Sequence, residues 1–293
     1  MMKTELYPKM TVDAHTHLYG IFGSPVRHSL SPLIHNTAFS HLKMNAAYVA
    51  FEMSKEQLPI AFEAVRALGI HGVNVTIPHK EAASNLVDEI PEDIDRSVGA
   101  LNTVVNRNGR LFGYNTDGHG FLFTLREELG FNPAGKTVLV LGAGGSARSV
   151  VFALANAGAA RILIHNRTQE RAQGLADFLS GSFRDMEIEA VGSLDAVKGE
   201  KLDLAVNATS CGMKPEDPLP MDLKILRKGA SVYDLIYAPA ETKFLKEAGR
   251  LGFPRANGLG MLAAQAALSF GLWTGHTEGV RELMLETLKK CRF

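Results

Sequence analysis

The chain has 293 residues, of which 46% are hydrophobic and 21% are charged, as in an ordinary globular protein. This length suggests about two domains. Lysine and arginine together number 31, and aspartate and glutamate also number 31, so the formal net charge is zero. A protein that binds nucleic acid or a membrane surface through its overall charge needs a cationic field, so the balance disfavours both kinds of partner.

Two further features concern the cellular setting. The chain has only two cysteines, Cys211 and Cys291, which is too few for a disulfide framework and typical of a reducing compartment. The N-terminal residues lack the apolar core of a signal peptide. The uncharged stretch 258–275 is rich in alanine and glycine and lacks anchoring flanks, so we interpret it as a buried helix. These observations predict a cytoplasmic protein without a membrane span.

Short apolar runs alternate with longer segments of helical spacing, which predicts parallel α/β sheets. The predicted strands are 19–23, 47–53, 72–77, 137–141, 161–165, 202–208 and 230–236. The predicted helices are 32–43, 55–68, 118–129, 146–157 and 169–179. Residues 101–114 instead predict a hairpin around an Asn108-Gly109 turn, which would add antiparallel strands to the edge of the first sheet.

The strand and helix pattern restarts at Thr137 as a second doubly wound unit, and the chain from Gly258 onward shows only helical segments. We therefore predict one substrate-binding domain formed by residues 1–116 and 258–293. A Rossmann-like domain, residues 117–257, would be inserted into it. The predicted fold is an α/β protein whose first domain has a mostly parallel sheet and whose C-terminal helices return to that domain.

Residues 137–157 have the pattern of a strand, a glycine-rich turn and a helix. Gly142, Gly144 and Ala147 occupy the three small positions of the G-x-G-x-x-G/A pattern, and Ala143 and Gly145 complete the turn. Small residues permit a tight turn, approach of a pyrophosphate to the backbone and close packing of helix on strand. The helix N-terminus offers its N–H groups to the phosphates. Because both flanking elements fit, we prefer a dinucleotide site to a simple glycine-rich helix start.

The next strand indicates which dinucleotide binds. It is followed by Asn166, Arg167 and Thr168, with no acidic residue that could bond a ribose 2′-hydroxyl. Arg167 can pair with a 2′-phosphate and stack on adenine, and Asn166 and Thr168 can donate to the same phosphate. Thr168 also fits the role of N-cap for the following helix. We predict NADP(H) as the cofactor.

Polar residues of the first domain form a second set of candidates. Ser29 and Ser31 lie where a helix begins; Ser31 is a suitable N-cap, and both serines together can bind a carboxylate. Lys80 follows the strand 72–77, where ligands collect in open α/β folds, although a surface lysine fits the local sequence equally well. Asp117 can cap the next helix or, if it meets Lys80, form an ion pair that moves a proton.

These segments resemble the shikimate dehydrogenase family, in order and over nearly the whole chain. The substrate-side segments are GIFGSPVRHSLSPLIHNTAF, NVTIPHK, GALNTV and GYNTDG. The cofactor-side segments are VLGAGGSARS and NRT, followed by VNATSCGM, VYDLIYAPAETKFL and NGLGMLAAQAALSF.

The resemblance implies an oxidoreductase that reversibly reduces 3-dehydroshikimate to shikimate with NADPH, on the route to chorismate and the aromatic amino acids. It implies Lys80 as the proton donor and Asp117 as the residue that orients it. By position, the substrate residues would be Ser29, Ser31, Thr76, Asn102, Tyr237 and Gln265. Besides the glycine-rich turn and residues 166–168, the cofactor residues would be Asn207, Thr209, Gly258 and Met261.

Some features leave other interpretations open. Cys211 stands where the family commonly has serine, Asn257 where it commonly has aspartate, and extra residues precede the first strand. A dehydrogenase that uses quinate, both substrates or NAD is the main alternative, although the intact pair of serines favours shikimate. An NADPH-binding regulator without activity is another alternative. We expect a monomer or homodimer.

The segment VDAHTH suggests a rival enzyme class. Asp13, His15 and His17 resemble the metal-binding start of an amidohydrolase barrel, and two histidines two residues apart on a strand point the same way. No later ligands follow in suitable order, and the chain does not give eight strand–helix units. We therefore predict no metal and interpret the segment as an N-terminal extension.

Overall fold

The computed structural model describes Pro8 and residues 11–91, 97–184 and 186–291. The strands are β1 (His17–Gly23), β2 (Ala46–Glu52), β3 (Gly72–Val75), β4 (Thr103–Arg107), β5 (Arg110–Tyr114), β6 (Thr137–Leu141), β7 (Arg161–His165), β8 (Glu187–Ala190), β9 (Leu204–Asn207), β10 (Ser231–Asp234) and β11 (Arg255–Asn257). The helices are α1 (Ser31–His41), α2 (Leu58–Ala67), α3 (Lys80–Ala83), α4 (Asp117–Leu129), α5 (Gly145–Asn156), α6 (Gln169–Ser180), α7 (Lys243–Arg250), α8 (Leu259–Thr274) and α9 (Val280–Lys289).

Every predicted strand and helix is present, and no end differs from its prediction by more than three residues. The prediction missed the short elements α3, β8 and β11 and the helix α7. Strand β8 has the sequence EIEA, whose two glutamates are not typical of a strand, and it lies at the edge of its sheet. Tertiary pairing with β7 therefore decides its conformation.

The described residues pack as two units. The first contains the chain up to Thr116 and from Ala263 onward, and the second is Asp117–Leu262. The predicted functional domains, residues 1–116 with 258–293 and residues 117–257, stay a prediction. Within the described part of the chain, no helix has both the length and the apolar character that a bilayer span requires.

The first unit is built on a five-stranded sheet with the order β2-β1-β3-β4-β5. Strand β1 is parallel to β2 and β3, whereas β4 is antiparallel to β3 and to β5. The hairpin prediction is confirmed, because Arg107 pairs with Arg110 around Asn108 and Gly109, which both have positive φ. The hairpin thus adds antiparallel strands at one edge of a parallel sheet.

The C-terminal helices complete the first unit. The indole nitrogen of Trp273 in α8 donates to the carbonyl oxygen of Val104 at 2.9 Å. A Cβ at Gly72 would overlap the same indole ring, so this strand position requires glycine. Helix α9 packs against α1. The expected return of the C-terminal helices to the first domain is therefore confirmed.

The second unit is a Rossmann-like fold with a six-stranded parallel sheet of order β11-β10-β9-β6-β7-β8. Its central strand β6 is apolar, and Val138, Leu139 and Val140 are fully buried, as expected for a sheet covered on both faces. The strand order reverses next to β6, which carries the glycine-rich turn at its carboxyl end. Ligands bind at this position in open α/β sheets.

The hairpin glycine allows a test of backbone strain. Gly109 has φ +86° with no atom within 4 Å of a Cβ, so Gly109→Ala meets no clash but places alanine in the left-handed region. We expect a loss of about 1–2 kcal/mol in the free energy of unfolding, measured by urea denaturation. Gly174, inside α6, also has open space at its Cβ but no positive φ. Gly174→Ala should instead stabilise by about 1 kcal/mol. Equal effects of the two substitutions would contradict this account.

Candidate active site

In the first unit, the loops that follow β1 and β3 lie side by side. The N–H of Ser24 donates to the carbonyl oxygen of Ile77 at 2.9 Å. A Cβ at Gly23 would overlap the methyl group of Thr76, so glycine is required where the two loops meet. Because the β1 loop continues into the paired serines, this arrangement brings the β3 loop and its Thr76 next to the serine-bearing loop.

The paired serines differ from the predicted capping arrangement. Helix α1 begins at Ser31 itself, and the N-cap position is occupied by Leu30. The hydroxyl of Ser29 accepts the N–H of Ser31 at 3.2 Å, and the N-cap residue itself makes no side-chain capping bond. The Ser31 side chain is buried. The expectation that Ser31 caps the helix was therefore wrong, because the helix starts one position earlier.

Lys80 is held next to the Asn102 segment by the backbone. The N–H of Leu101 donates to the carbonyl oxygen of Lys80 at 3.0 Å, and the N–H of Val75 donates to the carbonyl oxygen of Asn102 at 2.8 Å. Lys80 is only 8% exposed. The alternative of a surface lysine was therefore wrong, because the start of α3 is covered by its surroundings.

Asn102 joins three segments of the first unit. Its amide nitrogen donates to the side-chain oxygen of Gln265 at 3.2 Å and to the hydroxyl of Thr116 at 2.9 Å. Its side-chain oxygen accepts the N–H of Thr116 at 2.8 Å. Two predicted substrate residues, Asn102 and Gln265, are thus brought together. The next residue after Thr116 is Asp117, which is buried and opens α4 in the second unit.

A buried polar network below Asn102 was not predicted from the sequence. The amide nitrogen of Asn74 donates to the carbonyl oxygen of Asn102 and to the hydroxyl of Ser269, both at 3.0 Å. The hydroxyl of Tyr48 donates to the side-chain oxygen of Asn74 at 2.7 Å. The hydroxyls of Thr103 and Ser269 are 2.7 Å apart. An asparagine inside the otherwise apolar strand β3 was the signal that could have revealed this network.

In the second unit, the sheet register aligns the predicted cofactor residues along one edge. Leu141 at the end of β6 lies opposite His165 in β7 and Asn207 in β9, and Asn207 lies opposite Asp234 in β10. The N–H of Gly142 donates to the carbonyl oxygen of His165 at 2.7 Å. The glycine-rich turn therefore lies between residues 166–168 on one side and the loop after Asn207 on the other.

The glycine-rich turn has the backbone that a dinucleotide phosphate site requires. Gly142 has φ +113°, and a Cβ there would lie 2.9 Å from the carbonyl oxygen of Ala208. Gly144 precedes α5 as its N-cap residue, and space is open where its Cβ would be. Ala147 is fully buried, so the helix packs closely on the strand. The N–H groups of the first helical turn can therefore reach a phosphate.

Residues 166–168 are placed beside this turn. Arg167 and Thr168 are exposed, and within the described residues no ion pair engages Arg167. Thr168 occupies the N-cap position of α6, but its side chain accepts no capping hydrogen bond. The amide of Asn166 donates to the carbonyl oxygen of Thr168 at 2.8 Å and shapes the loop. The side chains of Arg167 and Thr168 can thus contact a ligand.

The remaining cofactor candidates follow β9 and β10. The hydroxyl of Thr209 donates to the side-chain oxygen of Asn207 at 2.7 Å. The N–H of Gly258 donates to the carbonyl oxygen of Ile236 at 3.2 Å. A Cβ at Gly258 would clash with the carbonyl group of Leu235. Tyr237, the predicted substrate residue of this unit, follows Ile236, and burial raises the pKa of its phenol. Met261 in α8 is also buried.

The residues considered for a metal site have other partners. The rings of His17 and His71 stack with centroids 4.1 Å apart, and burial together with the His17 ring lowers the pKa of His71. The carboxylate of Asp13 accepts the N–H of His15 at 2.8 Å. Over residues 11–91, 97–184 and 186–291, no three His, Cys, Asp or Glu side chains form a group suited to a metal ion.

Three family models match the chain. Residues 21–104 match the shikimate dehydrogenase substrate binding domain, residues 125–211 match shikimate / quinate 5-dehydrogenase, and residues 258–289 match the shikimate 5′-dehydrogenase C-terminal domain. A shikimate dehydrogenase (NADP(+)) of Caldanaerobacter subterraneus subsp. tengcongensis is 45% identical over 267 residues, which is 91% of this chain and 94% of that protein. The chain belongs to the shikimate dehydrogenase family.

Solved structures of this family agree with the fold. The shikimate 5-dehydrogenase of Thermus thermophilus, in complex with NADP(H) and shikimate, superposes with a TM-score of 0.82 at 38% identity and covers 94% of this chain and 99% of its own. The shikimate 5-dehydrogenase of Listeria monocytogenes, in complex with shikimate and NAD, has a TM-score of 0.85 at 32% identity, with 94% and 98% covered. The α/β fold with a substrate domain and a Rossmann-like domain is thus confirmed.

The buried carboxyl of Asp234 generates a prediction about stability and pH. Burial raises its pKa from the ordinary value of 3.8 to about 6, although Thr242, Ile236 and Asn207 donate hydrogen bonds that oppose the shift. The unfolded chain ionises this group near pH 4 and the folded chain near pH 6. The contribution of the group to the free energy of unfolding is therefore lost as the pH rises through this range, by about 3 kcal/mol.

Asp234→Asn removes the titration while keeping the shape of the side chain. We expect the difference in the free energy of unfolding, wild type minus Asp234→Asn, to fall between pH 4 and pH 7 in urea titrations. Asp217→Asn is the control, because backbone N–H groups lower the pKa of Asp217 and its contribution is complete above the ordinary aspartate range. The corresponding difference for Asp217 should stay constant. A pH-independent difference for Asp234 would contradict the prediction.

Proposed function

We propose that the protein catalyses the reversible, NADPH-dependent reduction of 3-dehydroshikimate to shikimate. The observation that carries this proposal is the polar cluster of the first unit in a chain of this family. Backbone and side-chain hydrogen bonds bring Lys80, Asn102 and Gln265 together near the end of β3 and the start of β4. The loop with the paired serines lies at the same strand ends.

The substrate is a carboxylate with several ring hydroxyls, and the cluster offers groups for both. Ser29 and Ser31 would hold the carboxylate next to the N-terminus of α1, where the helix dipole favours an anion. Thr76, Asn102 and Gln265 would bond the ring oxygens, since hydroxyl and amide groups can both donate and accept. We propose Tyr237 as a further substrate residue.

The cofactor is NADP(H), as in the Caldanaerobacter relative and the Thermus structure described above. The glycine-rich turn, Ala143 and Gly145 included, would hold the pyrophosphate, and Asn166, Arg167 and Thr168 would hold the 2′-phosphate. The residues that would border the nicotinamide half are Asn207, Thr209, Gly258 and Met261. When bound, NADPH supplies the hydride that the carbonyl carbon of the substrate accepts. The exposed Arg167 and the absence of an acidic residue in 166–168 favour NADP(H) over NAD(H).

Lys80 is the proposed proton donor. As the carbonyl carbon is reduced, negative charge develops on its oxygen, and a nearby ammonium stabilises that charge. The Nζ of Lys80 then gives a proton to the oxygen, which forms the hydroxyl of shikimate and leaves a neutral amine. We propose Asp117 as the residue that orients Lys80. In the reverse direction, the amine of Lys80 accepts the hydroxyl proton.

The cellular setting and assembly belong to the same proposal. Cys211 and Cys291 are both free thiols, which fits a reducing compartment, and we expect the enzyme to act in the cytoplasm. We also expect a monomer or homodimer that does not bind nucleic acid.

An activity matrix with NADP+ or NAD+ and with shikimate or quinate tests the function and the role of Arg167. We expect NADP+ with shikimate to give the highest kcat/KM in the wild type. Arg167→Asp removes the partner of the 2′-phosphate and adds an acceptor for a ribose 2′-hydroxyl, so kcat/KM with NADP+ should fall about 10- to 100-fold while the preference moves towards NAD+. Higher activity with quinate would favour the alternative substrate, and an unchanged cofactor preference would refute the role of Arg167.

Lys80→Ala tests the proton donor. We expect kcat to fall by about 10²- to 10⁴-fold, because the transition state loses both its charge stabilisation and its acid. The dissociation constant of shikimate, measured by calorimetry, should change little and also reports that the variant is folded. Lys55→Ala, an exposed lysine of the same unit, is the matched control and should keep wild-type turnover. Near-normal turnover in Lys80→Ala would rule out this role.

A further inference from the structure

A buried carboxylate at the edge of the second sheet is not used by the chemistry described above. Asp234 is the last residue of β10 and is fully buried in the apolar run VYDLIY. An ionisable group in such a place is costly unless its oxygens are hydrogen-bonded. Its position, between β9 and β11 in the row of strand ends, suggests that it serves the loops that start there.

Three donors from three chain segments meet at this carboxylate. The amide nitrogen of Asn207, at the end of β9, donates to Oδ1 at 3.0 Å. The N–H of Ile236, just after β10, donates to the same oxygen at 3.1 Å. The hydroxyl of Thr242, the N-cap of α7, donates to Oδ2 at 2.6 Å. One side chain therefore ties together the ends of β9 and β10 and the start of α7.

Both the nitrogen and the oxygen of the Asn207 side-chain amide have hydrogen-bond partners in this arrangement. Its nitrogen also donates to the carbonyl oxygen of Cys211 at 3.0 Å, and its oxygen accepts the N–H of Thr209 at 3.1 Å and the hydroxyl of Thr209 at 2.7 Å. The N–H of Cys211 in turn donates to the hydroxyl of Thr209 at 3.0 Å. The loop 207–211 is thus built around one amide, and Asp234 determines which way that amide faces.

The same carboxylate shapes the loop 235–242, which carries Tyr237. The bonds to Ile236 and Thr242 fix the two ends of this loop. The carbonyl oxygen of Ile236 accepts the N–H of Gly258, which leads into α8. Three of the residues assigned above to the nicotinamide side, Asn207, Thr209 and Gly258, therefore depend on one anchoring group.

The sheet order separates this group from the other end of the cofactor site. Arg167 follows β7, and the strands β6 and β9 lie between β7 and β10. With the pyrophosphate at the end of β6, a dinucleotide lies across the strand ends with its adenosine half towards β7 and its nicotinamide half towards β9 and β10. A change at Asp234 should therefore weaken the binding of the nicotinamide half and leave the binding of the adenosine half unchanged.

We propose that Asp234 is a positioning residue for the nicotinamide half of the cofactor site, which it holds in place through Asn207 and the loop 235–242. The proposal rests on the proposed function, because it assumes that NADP(H) binds across these strand ends. It adds a residue that contacts neither substrate nor cofactor and acts through its neighbours.

The test compares a whole ligand with half of it. Binding of NADP+ and of adenosine 2′,5′-bisphosphate, which lacks the nicotinamide half, is measured by calorimetry without substrate. Asp234→Ala leaves the donors of Asn207 and Ile236 without an acceptor, so NADP+ should bind about tenfold or more weakly. Adenosine 2′,5′-bisphosphate should bind as to the wild type. A general loss of folded structure would weaken both ligands equally.

Two control variants help to interpret the result, one conservative at Asp234 and one at the 2′-phosphate end of the site. Asp234→Asn keeps an oxygen for Asn207 and Ile236, and its amide can donate to Thr242, so NADP+ binding should return to within about twofold of the wild type. Arg167→Ala should weaken both ligands, because both carry the 2′-phosphate. If Asp234→Ala does not fold, Thr242→Val removes one donor to the carboxylate and Thr242→Ser restores it, and the same contrast between the two ligands is expected.

Three outcomes have separate meanings. Weaker binding of NADP+ alone, rescued by asparagine, supports the proposal. In folded Asp234→Ala, unchanged NADP+ binding or equal weakening of both ligands overturns the proposal, while the proposed function stands. A wild-type protein that binds neither NADP+ nor the bisphosphate contradicts the proposed function itself.

Discussion

A buried amide must satisfy both its donor and its acceptor atoms, and this requirement governs both candidate sites. In the first unit, Asn102 bonds Thr116 and Gln265 and leaves little freedom to either. In the second unit, Asn207 bonds Thr209 and Asp234 in the same manner. Because an amide that rotates would place donor against donor, each asparagine acts as a rigid joint between loops that are distant in the sequence.

Such joints explain how loops can carry chemistry with defined geometry. Loop backbones are mobile where they are solvated, whereas those next to Asn102 and Asn207 are tied to strand ends by buried hydrogen bonds. The glycines complete this arrangement, since Gly23 and Gly142 lie where a Cβ would collide with the neighbouring loop. Small residues bring the loops close together, and the amides then hold them in place.

The sequence predicted the strands and helices well and the side-chain hydrogen-bond partners poorly. The strands of both sheets, the hairpin at Asn108 and the glycine-rich turn follow from local patterns of apolar residues and glycine, which depend on neighbours in the chain. The partners of Asn74 and Asp234 are not local, since the bond from Asn74 to Ser269 spans 195 positions. Ser31 shows the same limit at short range, because its sequence fits an N-cap and only the fold places it in the first turn of the helix. The family resemblance named site residues but could not show what holds them.

The insertion of one unit into the other has a consequence for synthesis. The indole of Trp273 bonds to the carbonyl oxygen of Val104 across 169 positions, whereas the second unit is one continuous stretch. On the ribosome, β1 to β5 therefore emerge long before the helices that cover them, and the inserted unit can fold first. Until then, the side chains that later contact α8, such as Tyr19 and Phe39, stay uncovered, and this apolar face is where we expect a chaperone to bind the nascent chain.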